Sequence, residues 1–530
     1  MIMKRICILF LTIFSCAVLG AQEKGNIPMN VPDSLLHFDY QFDYSVFESP
    51  YKGAYEFSPY YVQIDPSRSV YDGKKLFLRA GAGYSLHPEL DFYWTPVRED
   101  SYSLSVYNTG RGYKGKYTYA PDGIEYSAHD FSDELGLDAR FINRNSYVSV
   151  RGGWNGIFSS TPDWIWGKSA FNSFFAGVGV KARNDNPSFF YYDFNLKYRY
   201  AGDNYEGVGS LGENNISVFG SVGPVIKRNF RFLVDFDVDF DKLRDGRRFL
   251  YEDSAGTASA SGSSSDAVAV LISGTPHLKF SLGPVSLDAG VKLDLGKAAS
   301  SKFTLSPVVT ASADIVKDRL KIYAGFVGGQ NLNTYGEMKQ MNHFHFRETE
   351  SLEVTRTRFD AFVGFKGTAG AHFDYDIKGG YKSVENAPVA YMTYVFADVT
   401  KIYVDAAAAW HSDNIDVDAN LHFVPKSTIE EGSFGLSSPV FQGDVRAVYN
   451  WNKRIYAGVW MQMMTDRKSH DPAFSQIKGF FSPGLYAEYK LNGILGVWAQ
   501  AGNLLGQAVY TTPGYVVKGP YFTIGVSCNL

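Results

Sequence analysis

Cysteine is nearly absent from this 530-residue chain, and its three copies sit at the ends. Cys7 and Cys16 fall in an N-terminal segment that reads as a leader, which leaves Cys528 alone. A single thiol forms no intrachain disulfide, so the fold is not a disulfide-stapled scaffold. Long apolar runs are missing too. Beyond the leader no stretch stays apolar for the roughly 18 residues of a membrane-spanning helix, and that excludes a helical membrane protein. Helix-period patterning of useful length is also lacking. Lys and Arg total 51 against 55 Asp and Glu, a net charge of −4, so nothing points to a nucleic-acid partner.

What the chain has instead is aromatic residues, 40 Phe and 36 Tyr, beside a mean hydropathy of only −0.17. The two are reconciled by strands that are apolar on one face alone. In the run 231–240, Phe232, Val234, Phe236, Val238 and Phe240 alternate with Arg231, Asp235, Asp237 and Asp239. Successive side chains of an extended strand leave opposite faces. The pattern returns in Tyr192, Phe194, Leu196, Tyr198 and Tyr200 against Asp193, Asn195, Lys197 and Arg199. It returns again in Ile415, Val417, Ala419, Leu421 and Phe423 against Asp416, Asp418, Asn420 and His422. A sheet with one charged and one lipid-like face, repeated along the chain, predicts an all-β protein, a transmembrane antiparallel β-barrel of the cell outer membrane.

Three regions follow. Residues 1–21 read as a signal peptide: Lys4 and Arg5, an apolar stretch from Ile6 to Phe14, and small residues at Leu19-Gly20-Ala21. A rival reading makes Cys16 a lipid-acceptor, but Ile13-Phe14-Ser15 before it is a poor match for that signal. Residues 22–72 carry scattered prolines and read as an irregular periplasmic or lumen segment. Residues 73–530 read as the barrel. Tight turns recur after every second strand, as at Arg98-Glu99-Asp100, Asn143-Arg144-Asn145, Gly283-Pro284 and Trp451-Asn452-Lys453. Longer connections lie between them, at 110–128, 158–168, 203–211, 244–264, 331–352, 425–437 and 466–474. Short periplasmic turns alternating with longer external loops fit the barrel. Hairpin counting gives about 22 strands. The segment 391–410, where apolar parity switches near Asp398, is one bulged strand or two short ones, so the range is 20–22.

The C-terminal stretch Trp498-Ala499-Gln500-Ala501-Gly502-Asn503-Leu504-Leu505-Gly506-Gln507, with Pro513-Gly514-Tyr515, Gly519 and the alternating Phe522, Ile524 and Val526, resembles the last strands of TonB-dependent receptor barrels. That family usually ends on Phe, whereas this chain ends on Leu530. Phe42-Asp43-Tyr44, Tyr60-Tyr61-Val62, Phe92-Tyr93-Trp94-Thr95-Pro96, Leu305-Ser306-Pro307 and Leu320-Lys321-Ile322-Tyr323-Ala324-Gly325 resemble a Bacteroidota group of such barrels that lack a plug. The resemblance implies a 22-stranded barrel, receptor- or channel-like, with outer-membrane lipid around it. Neither a plug of about 130 residues nor an energy-coupling box is seen, so an energy-coupling protein is not expected as a partner. The lumen must then be filled by the N-terminal segment, inward-folded loops, dense side chains or a partner. An alternative function is a non-transport barrel subunit, a platform for periplasmic or outer-membrane protein partners.

Candidate lumen-facing residues are Asp193, Lys197, Arg199, Asp235, Asp237, Asp239, Asp374, Asp376, Lys378, Asp416 and Asp418. They read first as a hydrated, salt-bridged lining and second as a weak selectivity filter. Phe38, Tyr40, Phe42 and Tyr44 alternate like a strand, suited to the lumen wall or to strand addition by a partner. His343-Phe344-His345, beside Glu348 and Glu350, offers two alternate imidazoles, but such pairs seldom bind metal unaided. No cofactor, metal site or catalytic constellation is expected, and the protein is not read as an enzyme.

Overall fold

The computed structural model describes residues 75–530 apart from 85, 100, 119–123, 162–166, 184–189, 228, 248, 253–257, 262–264, 299, 318, 347–350, 391–393, 431–434, 469–475, 513, 514 and 518. Phe38, Tyr40, Phe42 and Tyr44 lie outside the described residues. Twenty-two antiparallel strands close into one barrel. The first nine are β1 Leu76–Tyr84, β2 Glu89–Arg98, β3 Tyr102–Thr118, β4 Glu125–Ile142, β5 Ser146–Ser160, β6 Lys168–Ala182, β7 Phe190–Tyr205, β8 Gly209–Lys227 and β9 Phe230–Asp245. Next come β10 Ser265–Leu282, β11 Val285–Lys297, β12 Thr304–Val316, β13 Leu320–Asn333, β14 Glu353–Ala369, β15 Phe373–Ala390, β16 Tyr394–His411 and β17 Ile415–Ile429. The last five are β18 Phe441–Trp451, β19 Ile455–Met464, β20 Phe480–Lys490, β21 Leu495–Gly502 and β22 Tyr521–Asn529. A short hairpin, 509–512 with 515–517, adds to the tip of β3 through Val516 opposite Thr118.

Closure is dictated by the solvent. An unpaired strand edge in lipid leaves a row of backbone groups with no partner, each costing several kcal/mol. The last strand therefore returns to the first, with Phe77 opposite Asn529 and Tyr84 opposite Phe522. Lys75 and Leu76 both donate to the carbonyl of Leu530, at 2.5 and 2.8 Å. The termini of the barrel thus meet at the end that carries the tight turns. At one of these, Asn452 and Lys453 both take positive φ (52° and 57°), and Asn450 Oδ1 accepts from the Lys453 amide at 2.7 Å. Two consecutive residues of this kind give the hairpin twist that matches the strands.

The alternation places Phe232 and Phe240 on the exposed surface together with Phe194, Leu196, Tyr198, Tyr200, Ile415 and Phe423. The doubtful segment is settled: Tyr394–His411 is one strand. Its pairing is irregular on both sides, with the extra residue in the neighbouring strand each time: between Phe423 and Lys426 in β17 and between Val384 and Ala387 in β15.

Several expected loops are instead strand. β3, β4 and β8 run for 17, 18 and 19 residues, well beyond the 9–11 or so that span a bilayer. The connections expected at 110–128, 158–168 and 203–211 shrink to 119–124, 161–167 and 206–208. The reason lies in the extensions themselves. Glu125, Ser127 and His129 continue the face that bears Leu135 and Leu137 nearer the membrane. Above the lipid that face meets water, so it loses the apolar alternation that announces a strand.

Candidate functional site at the barrel mouth

Between β13 and β14 the chain turns into the barrel and forms a short helix, α1 Tyr335–Met341. No helix was expected here. Thr334 caps it and accepts from the Glu337 amide at 3.3 Å, and Asn342 N–H closes it on the Met338 carbonyl at 3.0 Å. A helix of seven residues is too short to persist alone in water, so the surroundings must hold it. Glu213 of β8 does so at the N-terminus. Its carboxylate accepts from Tyr335 N–H at 2.5 Å and Gly336 N–H at 2.9 Å. These are donors that the first turn leaves without partners, and the helix dipole favours an anion there. Arg199 of β7 donates to the Thr334 hydroxyl and lies 3.5 Å from Glu213. Gly336 permits the approach: a Cβ there would sit 3.1 Å from both Arg199 and Glu213.

One turn on, Lys339 Nζ lies 2.9 Å from Asp203 of β7, and neither side chain has any exposed surface. Asp203 also accepts from Ser169 Oγ and Tyr335 OH, each at 2.6 Å. Lys339 donates further to Ser169 Oγ at 3.0 Å and to the His345 carbonyl at 3.3 Å. Tyr205 and Tyr335 share a hydroxyl–hydroxyl bond of 2.8 Å. Beyond the helix, His343 Nδ1 meets Asp130 of β4 at 2.8 Å, and Ser159 Oγ of β5 donates to the His343 carbonyl at 3.0 Å.

Apolar packing shows that the segment lies inside the wall. Tyr335 joins a buried cluster with Ile157, Phe171, Ala201, Leu211 and Leu243, one residue from each of the consecutive strands β5 to β9. Phe158, Phe174, Tyr200, Phe232 and Phe240, on the opposite face of the same wall, are exposed. Phe344 packs with Tyr113, Tyr117 and Tyr205, and Met338 with Tyr394, Leu436 and Ile477. Segment 334–346 therefore reaches from β13 to strands far around the ring and crosses the barrel interior at the loop end.

Of the candidate lumen-facing residues, only Arg199 belongs to this site; the His343-Phe344-His345 run lies within it as well. Asp193 pairs with Lys181 at 3.3 Å, and Lys197 lies over the Phe219 ring at 4.7 Å. Asp235 lies 3.2 Å from His277 Nε2, and Asp239 accepts from Ser217. Asp237 stands opposite Ser273. On the β14–β17 side, Asp376 accepts from Tyr323 OH at 2.5 Å, and Lys378 lies 3.6 Å from Asp405 between the Phe362 and Tyr403 rings. Asp416 meets His411 at 3.2 Å; Asp374 stands opposite Thr368, and Asp418 opposite Arg446. The two histidines split: His343 goes to Asp130, while the His345 ring sits 5.7 Å from Tyr335 and 5.8 Å from Tyr394. Among the described residues, no three His, Cys, Asp or Glu side chains converge to hold a metal.

Asp130, Asp203, Glu213, Tyr335 and Lys339 were not foreseen. One signal was present. Thr334-Tyr335-Gly336-Glu337 has the Ser/Thr-x-x-Glu spacing of a helix N-terminus.

No protein-family model and no curated relative matches the chain. Solved structures do. A mutant of the ferric enterobactin receptor PfeA from Pseudomonas aeruginosa superposes with a TM-score of 0.63 at 11% identity, over 86% of this chain and 80% of that one. The siderophore receptor PirA from Acinetobacter baumannii gives 0.64 at 9% identity, and the copper transporter OprC 0.62 at 12%, each over 86% and 80% of the two chains. At these identities the likeness is one of fold. The chain is an outer-membrane β-barrel of 22 strands, and its fold is that of the barrels named above.

Proposed function

We propose that this protein is a solute-passage barrel of the outer membrane, receptor-like in build, whose external mouth is closed by its own segment 334–346. The observation that carries this reading is the fully buried set Lys339, Asp203 and Glu213, which binds that segment across the interior. A wall built only as a platform has no need of a charged stopper. Asp193, Lys197, Asp235, Asp237, Asp239, Asp374, Asp376, Lys378, Asp416 and Asp418 line the hydrated path beneath it. Because carboxylates and cations are interleaved, the lining disfavours strong charge selection. The neighbours named above receive iron chelates or carry copper, and on this reading the chain handles solutes too large for a narrow pore.

Planar-bilayer recording is the test. Wild-type protein is expected to be closed almost all of the time, and a barrel with 335–346 replaced by a Gly-Ser bridge is expected to show large, steady conductance. A silent bridged barrel that co-purifies with stoichiometric partners would instead favour the platform function.

A further inference from the structure

We infer that the Lys339–Asp203 pair is a latch, so that segment 334–346 is a lid in equilibrium with an open state; this rests on the passage reading above. The hinge is given by register. Asn333 and Glu353 stand opposite each other at the ends of β13 and β14, so the connection that carries the segment leaves and rejoins the wall at one point. A flap hung on one paired edge swings without disturbing any wall strand. Nor does it carry a stable body of its own, since a seven-residue helix melts once released.

The energetics follow from where the charges go. Burying an ion pair forfeits hydration that its attraction barely repays. In a sealed core that debt is permanent, because separating the pair leaves both ions dry. Here Asp203 stands two residues from Tyr205, the loop end of β7, and Lys339 rides on the lid. When the lid lifts, both ions enter water and recover hydration. Opening therefore returns most of what the broken pair loses. The same holds for Glu213, which gives up two backbone amides, and for Asp130, which gives up His343. The closed state rests on near-cancelling polar terms plus the packing of Tyr335, Met338 and Phe344, the balance of a two-state element rather than of a fixed plug.

Charge removal separates a latch from a stopper. Single substitutions Asp203→Asn and Lys339→Gln leave one buried group without its counter-ion, and each is expected to raise open probability in bilayers about tenfold or more (~1.4 kcal/mol per tenfold). The double apolar variant Asp203→Leu with Lys339→Met leaves no buried ion, only the Ser169 and Tyr335 hydroxyls to find other partners, and is expected to open less than either single variant. Tyr335→Phe, which takes only one hydrogen bond from Asp203, is a milder variant with a smaller increase, for use if a charge variant fails to fold. Point variants that stay at the wild-type level, while the 335–346 bridge conducts, would overturn the latch and leave the passage reading intact. A silent bridge overturns the passage reading itself. A double apolar variant more open than either single one also overturns the latch.

Discussion

Gly525→Val is expected to leave the barrel unclosed. In β22 Gly525 stands between Trp498 of β21 and Gly81 of β1, the three in one transverse row across the seam where the last strand meets the first. The indole lies flat over both glycines. A Cβ on Gly525 would sit 2.1 Å from the Ala80 carbonyl oxygen and 2.5 Å from the ring, and one on Gly81 would sit 2.4 Å from the ring. The Arg79 guanidinium stacks on the same indole, 3.7 Å from its centroid, and reaches Glu89 at 3.2 Å and Asp91 at 3.4 Å. Overpacking usually costs about 1–3 kcal/mol. At this seam the obstacle is backbone, which cannot swing aside, so the effect falls at or above that range. The heat-modifiable folded band on semi-native gels should vanish. Adding Trp498→Ala should not restore it, because the Ala80 carbonyl still blocks the valine. A folded Gly525→Val barrel would show that the seam is looser than this geometry.

Glu213→Ala is expected to release the lid. Glu213 is wholly buried, and its loss strands two helix amides and the Arg199 guanidinium. Removing one partner of a buried ion pair costs on the order of 3–5 kcal/mol. Lys339, inaccessible in the closed state, should then be cut by trypsin in folded barrels that resist cleavage when wild type. Continued resistance in the variant would mean that apolar packing alone holds the segment.

The barrel was legible because lipid imposes a rule on every residue of one face. Phe232 to Phe240 obey it, and so do Ile415 to Phe423, which is why strand number and turn positions could be read from the chain. The strand extensions escaped because above the membrane the outer face meets water instead of lipid, and polar residues such as Glu125 and Ser127 look like loop. The site escaped for a different reason. Asp203, Glu213 and Lys339 gain their meaning from contacts across 122 to 136 residues of sequence, and no local period encodes such a meeting. Asp235, Asp237 and Asp239 drew notice because they repeat, whereas the residues that hold the lid are single. The capping spacing at Thr334 to Glu337 was the one local trace. It marks a helix start without saying that the helix points inward.

Hydrogen exchange of amides 335–345, followed by mass spectrometry on the native barrel in outer-membrane vesicles, goes to the heart of the matter. A segment folded into the mouth, with Tyr335 bonded to Glu213, Met338 to Thr334, Asn342 to Met338 and His345 to Asn342, should exchange orders of magnitude more slowly than an unstructured peptide. Exchange at the rate of a free external loop would place the segment outside the barrel and remove the lid.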